Sequence, residues 1–476
     1  MKRFFYCIFS FLLFFNTVYC QFTWTRVLGG PRNDAGWSSL QTKDGNFLLV
    51  GDRTVISLLN GNYISQTYLA KFNAQGTLLW QKFYGDSVKG NFSYSATEDP
   101  YGNLFIASNW NTPRLMKTDH FGNILWQKEF AYPIDEFGGI KLIDNNTKLL
   151  IKTSNIINTL NTVGLLKLDT AGSTIWSKTY TDTSLYDSFY SSFYSTNDAY
   201  YIACRKNLIA TILKVDTNGT LLWEKIFSHP GSFNTIIQIS ENSLIAAGFD
   251  ATSGTGGMCC VKIDKNGIVD WQRIYNGDTI SFATYIANAG TNKLVITGVN
   301  RDTRPILMKI DTMGNFISYL AHFYQPDDNV IYRDISMCND SGFIISGYIE
   351  LNDNGYIDCL MIKTDKTGNT IPIGIHNNQE INTANDVSIK SYPNPFNSNI
   401  SINIKTLKNS NITIKLYNIN GQEIFIIFSG IVNNGILNIH LSFDKLNLAS
   451  GFYFIVLDLI KENSHRLYYN KLIYLK

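Results

Sequence analysis

An all-β fold is predicted by three features of the chain. Composition favours strands: aromatic residues make up 14% of the 476 positions, charged residues 16%, and Pro occurs only ten times. A twelve-residue apolar–turn–apolar pattern recurs along most of the chain. The last ninety or so residues break into short runs of alternating apolar and polar residues. No stretch shows the period of an amphipathic helix. The formal net charge of +2 supplies no basic stripe of the kind a nucleic-acid partner requires.

The N-terminus reads MKRFFYCIFSFLLFFNTVYCQ. Lys2 and Arg3 are a positive n-region, and Phe4 to Phe15 is an apolar segment too short to span a bilayer comfortably. Val18 and Cys20 sit where a signal peptidase accepts smaller residues. The expectation is a signal peptide over residues 1–20, cut between Cys20 and Gln21. A lipid anchor on Cys20 would need a small residue at Tyr19. No later segment is long and apolar enough for a transmembrane helix. Five cysteines then remain, an odd number that argues against a disulfide framework.

The repeat is an apolar pair, Lys, any residue, Asp, two residues, Gly, three residues, Trp. Its copies are LAKFNAQGTLLW (69–80), LMKTDHFGNILW (115–126), LLKLDTAGSTIW (165–176), ILKVDTNGTLLW (212–223) and CVKIDKNGIVDW (260–271). Two degenerate copies follow, LMKIDTMGNFIS (307–318) and MIKTDKTGNTIP (361–372). The Trp places lie 46, 50, 47, 48, 47 and 54 residues apart. Each copy reads as a hairpin. Asp119, Asp169, Asp216, Asp264, Asp311 and Asp365 bond the turn's N–H groups, and the Gly takes positive φ. A preceding strand shows as DGNFLLVG (44–51), YGNLFIAS (101–108), ENSLIAAG (241–248), TNKLVITG (291–298) and DSGFIISG (340–347). Four strands per 47-residue unit is the pattern of a β-propeller blade. The segment FTWTRVLGG (22–30) matches LLWQKFYGD (78–86), so an N-terminal strand completes a last blade that has lost its own Trp strand. Residues 21–375 therefore read as a seven-bladed propeller, with eight blades the alternative. Trp80, Trp126, Trp176, Trp223 and Trp271 are assigned to packing between blades.

The repeat resembles that of secreted bacterial propellers with a Lys-x-Asp-x-x-Gly-x-x-x-Trp hairpin, and distantly that of quinoprotein propellers, which have one more residue between Asp and Gly. It does not fit the sialidase Asp-box, which places Gly two and Trp five residues after Asp.

Residues 376–386 form a polar linker, and residues 387–476 hold seven short strand-like runs, the pattern of an immunoglobulin-like sandwich. Within them stand Tyr392, Pro393, Asn394, Pro395, Phe396 and Asn397, then Leu416-Tyr417-Asn418 with Gly421, then Gly451 and Tyr453, and finally Lys471 before the terminal strand. In that order they resemble the type A C-terminal sorting domain of the type IX secretion system. The resemblance implies Sec export to the periplasm, recognition by the outer-membrane translocon, and release or attachment at the cell surface.

No catalytic constellation emerges. The six histidines are scattered, and no His-Glu-x-x-His, Gly-x-Ser-x-Gly or phosphate-binding glycine loop occurs. Cys259-Cys260 invites comparison with the vicinal disulfide of some quinoproteins. Adjacent strand residues point to opposite faces, however, so two small buried hydrophobes are the simpler reading. The run LNDNGYID (351–358) lacks the full ligand alternation of a calcium loop. Trp37 and Trp110 have no counterpart in the repeat. No catalytic residue, metal or cofactor is assigned. The expected function is an exported binding or scaffolding module for a glycan or a cell-surface protein. The alternative is a polysaccharide-active or quinoprotein-like enzyme with residues converging at the propeller mouth.

Overall fold

The computed structural model describes residues 22–370 and 388–475. Excepted are residue 31 and segments 57–62, 86–91, 110–111, 132–133, 158–159, 181–185, 253–255, 276–281, 300–304, 322–328, 351–355, 407, 419–422, 447 and 462–463. The Cys20–Gln21 expectation, Trp110, Gly421 and most of the 351–358 run lie outside the described residues. Among those described, no helix is long and apolar enough to cross a membrane.

Strand β1 spans Trp24–Leu28. Blade 1 follows, with β2 (Ala35–Gln41), β3 (Phe47–Ile56), β4 (Tyr63–Phe72) and β5 (Leu78–Tyr84). Blade 2 holds β6 (Phe92–Glu98), β7 (Leu104–Asn109), β8 (Arg114–Thr118) and β9 (Ile124–Glu129). Blade 3 holds β10 (Glu136–Ile143), β11 (Lys148–Ile157), β12 (Leu160–Asp169) and β13 (Thr174–Tyr180). Blade 4 holds β14 (Tyr186–Ser195), β15 (Ala199–Lys206), β16 (Ile209–Asp216) and the first half of β17 (Leu221–Ser240). The second half of β17 opens blade 5, which continues with β18 (Ser243–Asp250), β19 (Gly257–Asp264) and β20 (Val269–Tyr275). Blade 6 holds β21 (Phe282–Asn288), β22 (Lys293–Val299), β23 (Pro305–Asp311) and β24 (Phe316–Ala321). Blade 7 holds β25 (Asn329–Met337), β26 (Phe343–Glu350) and β27 (Ile357–Lys363), and its fourth strand is β1. The described strands thus form seven antiparallel four-stranded units, two of which share β17.

The propeller has no single core. Its buried side chains form seven clusters, each between two neighbouring blades. Strand alternation explains this. Leu49 of β3 packs toward blade 7, while Leu48 and Val50 pack toward blade 2. A strand covered on both faces must be apolar at every position, which accounts for runs such as LLV and YYIAC. Cys259 and Cys260 obey the same rule: one lies in the core between blades 4 and 5, the other between blades 5 and 6, and both are free thiols.

Strand β1 closes the ring. It pairs with β27 from Trp24↔Lys363 to Leu28↔Cys359. Trp24, 3% exposed, lies between Phe47 and Phe72 of blade 1, with both ring centroids at 5.7 Å. Its Nε1 donates to the Ala74 carbonyl at 3.0 Å, and Arg26 Nε donates to the Gly76 carbonyl at 2.6 Å. At this seam Gly29 lies directly on the Asp358 carboxylate, where any Cβ would overlap it. Asp358 Oδ1 is buried with no hydrogen-bond partner. Burial, and secondarily the nearby Asp34 carboxylate, push the Asp358 carboxyl up to about 6, against an opposing pull from Arg53. An acid whose folded pKa is raised costs stability once ionised. The cost is absent below the unfolded pKa and complete above about 6. Asp358→Asn is therefore expected to raise stability at pH 8 by at most about 3 kcal/mol and to give no gain at pH 4. Urea unfolding at the two pH values checks this, and an equal effect at both would contradict it.

The C-terminal unit is a sandwich of two sheets. One contains β28 (Ser388–Tyr392), β29 (Asn399–Lys405) and β32 (Ile436–Ser442). The other runs β31 (Glu423–Val432), β30 (Ser410–Asn418), β33 (Gly451–Lys461), β34 (Ser464–Tyr474). Ile400, Ile402 and Ile404 of the first sheet meet Ile412, Ile414, Leu416, Ile455 and Leu457 of the second in one core. The Ile-x-Ile alternation in sequence is that inward face.

Candidate functional site at the channel mouth

The inner strands β2, β6, β10, β14, β17, β21 and β25 together line one cavity of ≈ 210 Å³ on the propeller axis. Six of these strands break register at an equivalent point, and the residue left over there is Trp37, Tyr94, Gly138, Asn234, Thr284 or Arg333. In β14 the register also shifts, between Asp187 and Ser192. All six of those residues line the cavity. A bulge turns one extra residue out of the ladder, and here each bulge aims a side chain or a bare backbone at the channel. The cavity lies toward the starts of the inner strands, so it opens at the end opposite the Asp-x-x-Gly turns.

The residue just past three of the register shifts ties neighbouring blades together. Ser95 Oγ accepts from Ile140 N–H at 3.4 Å, Ser192 Oγ from Ile236 N–H at 3.2 Å, and Asp334 Oδ2 from Ser39 N–H at 3.0 Å. The bulged residues above them are held in turn. Trp37 meets Tyr94 edge-on at 5.1 Å and donates its Nε1 to Asp52. Burial pushes the Asp52 carboxyl up to about 7, while the bonds from Trp37 and Ser65 pull it down. The Arg333 guanidinium lies 4.9 Å from the Trp37 ring and 5.3 Å from that of Tyr348, and donates to the Tyr348 hydroxyl at 3.3 Å. Lys141 Nζ lies 4.6 Å from the Tyr194 ring. Burial brings its ammonium down to about 8, with Asp334 opposing. The mouth therefore combines aromatic faces, cations and small hydroxyl or amide groups. Among the described residues no group of three or more His, Cys, Asp or Glu is placed to hold a metal.

The repeated aspartates stand at the other end of the ring. In each, one carboxylate oxygen accepts two backbone N–H groups: Asp119 from Phe121 and Asn123 at 2.9 and 2.8 Å, Asp264 from Asn266 and Ile268 at 2.8 Å each. Asp169, Asp216, Asp311 and Asp365 do the same. Desolvation pushes the Asp119, Asp264 and Asp311 carboxyls up, but the hydrogen bonds outweigh it and hold them below the usual range. The repeat Lys links this turn to its neighbour: Lys71, Lys167 and Lys363 reach Asp44, Asp144 and Asp340 at 2.7, 2.9 and 2.8 Å. Each Trp leans on the next blade's turn glycine. A Cβ on Gly122 (φ +77) would stand 3.2 Å from Trp80, and one on Gly172 (φ +81) 3.0 Å from Trp126. Trp176, Trp223 and Trp271 meet Gly219, Gly267 and Gly314 likewise.

In the C-terminal unit, Asn394 Oδ1 accepts from Ile473 N–H at 2.8 Å, and Phe396 exchanges backbone bonds with Ile473 and Leu475 at 2.9 and 2.8 Å. The Tyr392–Asn397 segment is thus a clasp on the last strand. Phe396 is 4% exposed against Phe443 and Tyr474, whereas Tyr392 is 80% exposed. Gly451 opens β33, and the Tyr453 hydroxyl donates to the Ala449 carbonyl at 2.7 Å. Lys471 lies on β34 opposite Phe454. Residues 390–473 match the family described as the secretion system C-terminal sorting domain. The C-terminal unit is a sorting domain.

No curated protein matches the chain in sequence. Among solved structures, the chain is similar to the Dos1 propeller (11% identity, TM-score 0.47, 74% of this chain and 97% of that one). It is also similar to the WD40 repeats of RRP9 (9%, 0.48, 71% and 97%). BamB from Moraxella catarrhalis is a third (12%, 0.39, 71% and 98%). At these identities and scores the likeness carries no argument about ligand or activity. The sorting domain lies C-terminal to the propeller in sequence, and the mouth residues all belong to the propeller.

Sequence reasoning found the turn and Trp positions but not the mouth. The signal was present. Trp37, Tyr94, Asn234, Thr284 and Arg333 each stand ten residues ahead of the first apolar residue of the strand that follows: Phe47, Leu104, Leu244, Leu294 and Phe343. Their identities differ from blade to blade, so no motif marks them.

Proposed function

We propose that the chain is exported cargo of a type IX secretion system and that its propeller binds a glycan or cell-surface protein at the channel mouth. The export half rests on the sorting domain over residues 390–473, whose family supports a route to the cell surface or the medium. The binding half is carried by one observation: bulges at equivalent points of the inner strands turn unlike side chains into one cavity. Bulges re-aim side chains and are over-represented beside sites of function. At ≈ 210 Å³ the cavity suits one sugar ring or one side chain of a larger ligand, below the ~300–1,000 Å³ typical of drug-sized pockets.

The test is binding of the mature chain to a panel of immobilised polysaccharides and cell-surface proteins. Specific binding that falls at least tenfold in Trp37→Ala is the expected result, since a central aromatic commonly dominates a contact. Binding unchanged by Trp37→Ala would remove the mouth from the account.

A further inference from the structure

Building on the mouth as the ligand site, we propose that it takes a carboxylate-bearing sugar, a uronate residue of an acidic glycan. Three observations point there. First, Arg333 is held by Trp37 and Tyr348 on its faces and by one hydrogen bond to the Tyr348 hydroxyl, yet its Nε is buried and has no hydrogen-bond partner. The guanidinium itself lines the cavity, and an anionic oxygen is the partner a guanidinium bonds most strongly. The guanidinium is already oriented, so little ordering remains for the ligand to impose.

Second, two cations of the wall, Lys141 and Arg333, line the cavity without an ion-pair partner among the described residues. Among the described residues no carboxylate lies within ion-pair distance of Arg333 or Lys141. Asp334 is engaged by the Ser38 hydroxyl at 2.9 Å and the Ser39 N–H at 3.0 Å. A ligand carboxylate would pair with these cations.

Third, the rest of the lining suits a sugar. Trp37 and Tyr94 bring aromatic surface to the lining, of the kind that packs against the C–H groups of a pyranose ring. Ser38, Asn234 and Thr284 supply hydroxyl and amide groups around it. The Asn234 amide spends one hydrogen on the Ala283 carbonyl at 2.7 Å.

The test uses the full mature chain and five probes: oligogalacturonate, alginate oligomers, the carboxyl-reduced neutral form of each, and a poly-glutamate peptide of matched charge. Calorimetry should show binding to at least one uronate oligomer, weakened at least tenfold by carboxyl reduction and by raised salt. Arg333→Gln should weaken it at least tenfold, and Lys141→Met, a second and independent variant, several-fold. Leu125→Ala, on the exposed outer strand of blade 2, should leave it unchanged. Equal binding of the reduced oligomers would overturn the uronate assignment while leaving the mouth as a glycan site. Preference for poly-glutamate would overturn the sugar while leaving a binding site for acidic protein. Absence of binding to any probe would also overturn the proposal.

Discussion

Replacing Trp24 with Ala is expected to lower the thermal midpoint of the propeller by on the order of 10 °C. The residue is 3% exposed, and it belongs to strand β1, which blade 7 borrows from the start of the chain. Truncating a buried aromatic costs ~3–5 kcal/mol from lost burial and the cavity left behind. For a domain larger than about 150 residues each kcal/mol moves the midpoint by roughly 2–4 °C. Position sharpens the effect. Trp24 joins a core that includes Phe47, Tyr68 and Phe72 of blade 1 and Ile344 and Met361 of blade 7, so its loss loosens the seam at which β1 closes the ring. Once β1 leaves, β27 exposes an unpaired edge, which invites association between molecules. Leu125→Ala is the control. Leu125 is 54% exposed and its truncation should stay within about 0.5 kcal/mol. Calorimetry of both variants decides, and a Trp24→Ala midpoint equal to that of Leu125→Ala would refute closure by β1.

The second large effect lies in the sorting domain. Phe396→Ala should destabilise it by ~3–5 kcal/mol, because the ring sits among Phe443 at 4.6 Å and Tyr474 at 5.2 Å. A unit of this size holds little surplus stability, so the variant sorting domain is expected to be largely unfolded at growth temperature. Tyr392→Ala should leave the fold intact, since that side chain faces solvent. The pair separates two ways of losing export: Phe396→Ala removes the folded domain, Tyr392→Ala only an exposed contact. Near-native stability of Phe396→Ala would contradict the packing account.

Much of the fold was legible because each blade must solve the same problem. Every hairpin needs an acceptor such as Asp216 for its N–H groups and a glycine such as Gly219 at positive φ. The gaps between blades need something large, so Trp recurs beside that glycine in six of them, and Leu307 and Leu320 stand beside Gly368 in the seventh. These demands repeat, and repetition is visible in one sequence. The N-terminal match of Trp24 to Trp80 was visible for the same reason. The role of the repeat Lys was not, since its partners Asp44, Asp144 and Asp340 lie on a different hairpin, more than twenty residues away.

The mouth was illegible for the opposite reason. A binding site on a ring uses the positions where the blades differ, so Trp37, Tyr94, Asn234, Thr284 and Arg333 share a place but no chemistry. Only the bulges reveal that they converge, and a bulge is a property of strand register. Trp37 stood out in the sequence as a Trp without a repeat partner. What it faces, Tyr94 and Arg333, is 57 and 296 residues away along the chain. The continuity of β17 through blades 4 and 5 was equally hidden, because His229-Pro230-Gly231 reads locally as a break between strands.

If the sorting domain over residues 390–473 carries the propeller out of the cell, the propeller's location depends on that domain, and cell fractionation reads it. Cells making the full chain, the chain ending at residue 389, and Phe396→Ala would be fractionated into periplasm, outer membrane and medium, with the propeller detected in each. The account predicts the full chain's propeller at the surface or in the medium and both variants retained in the periplasm. A truncated chain that still reaches the surface or medium in full would contradict it.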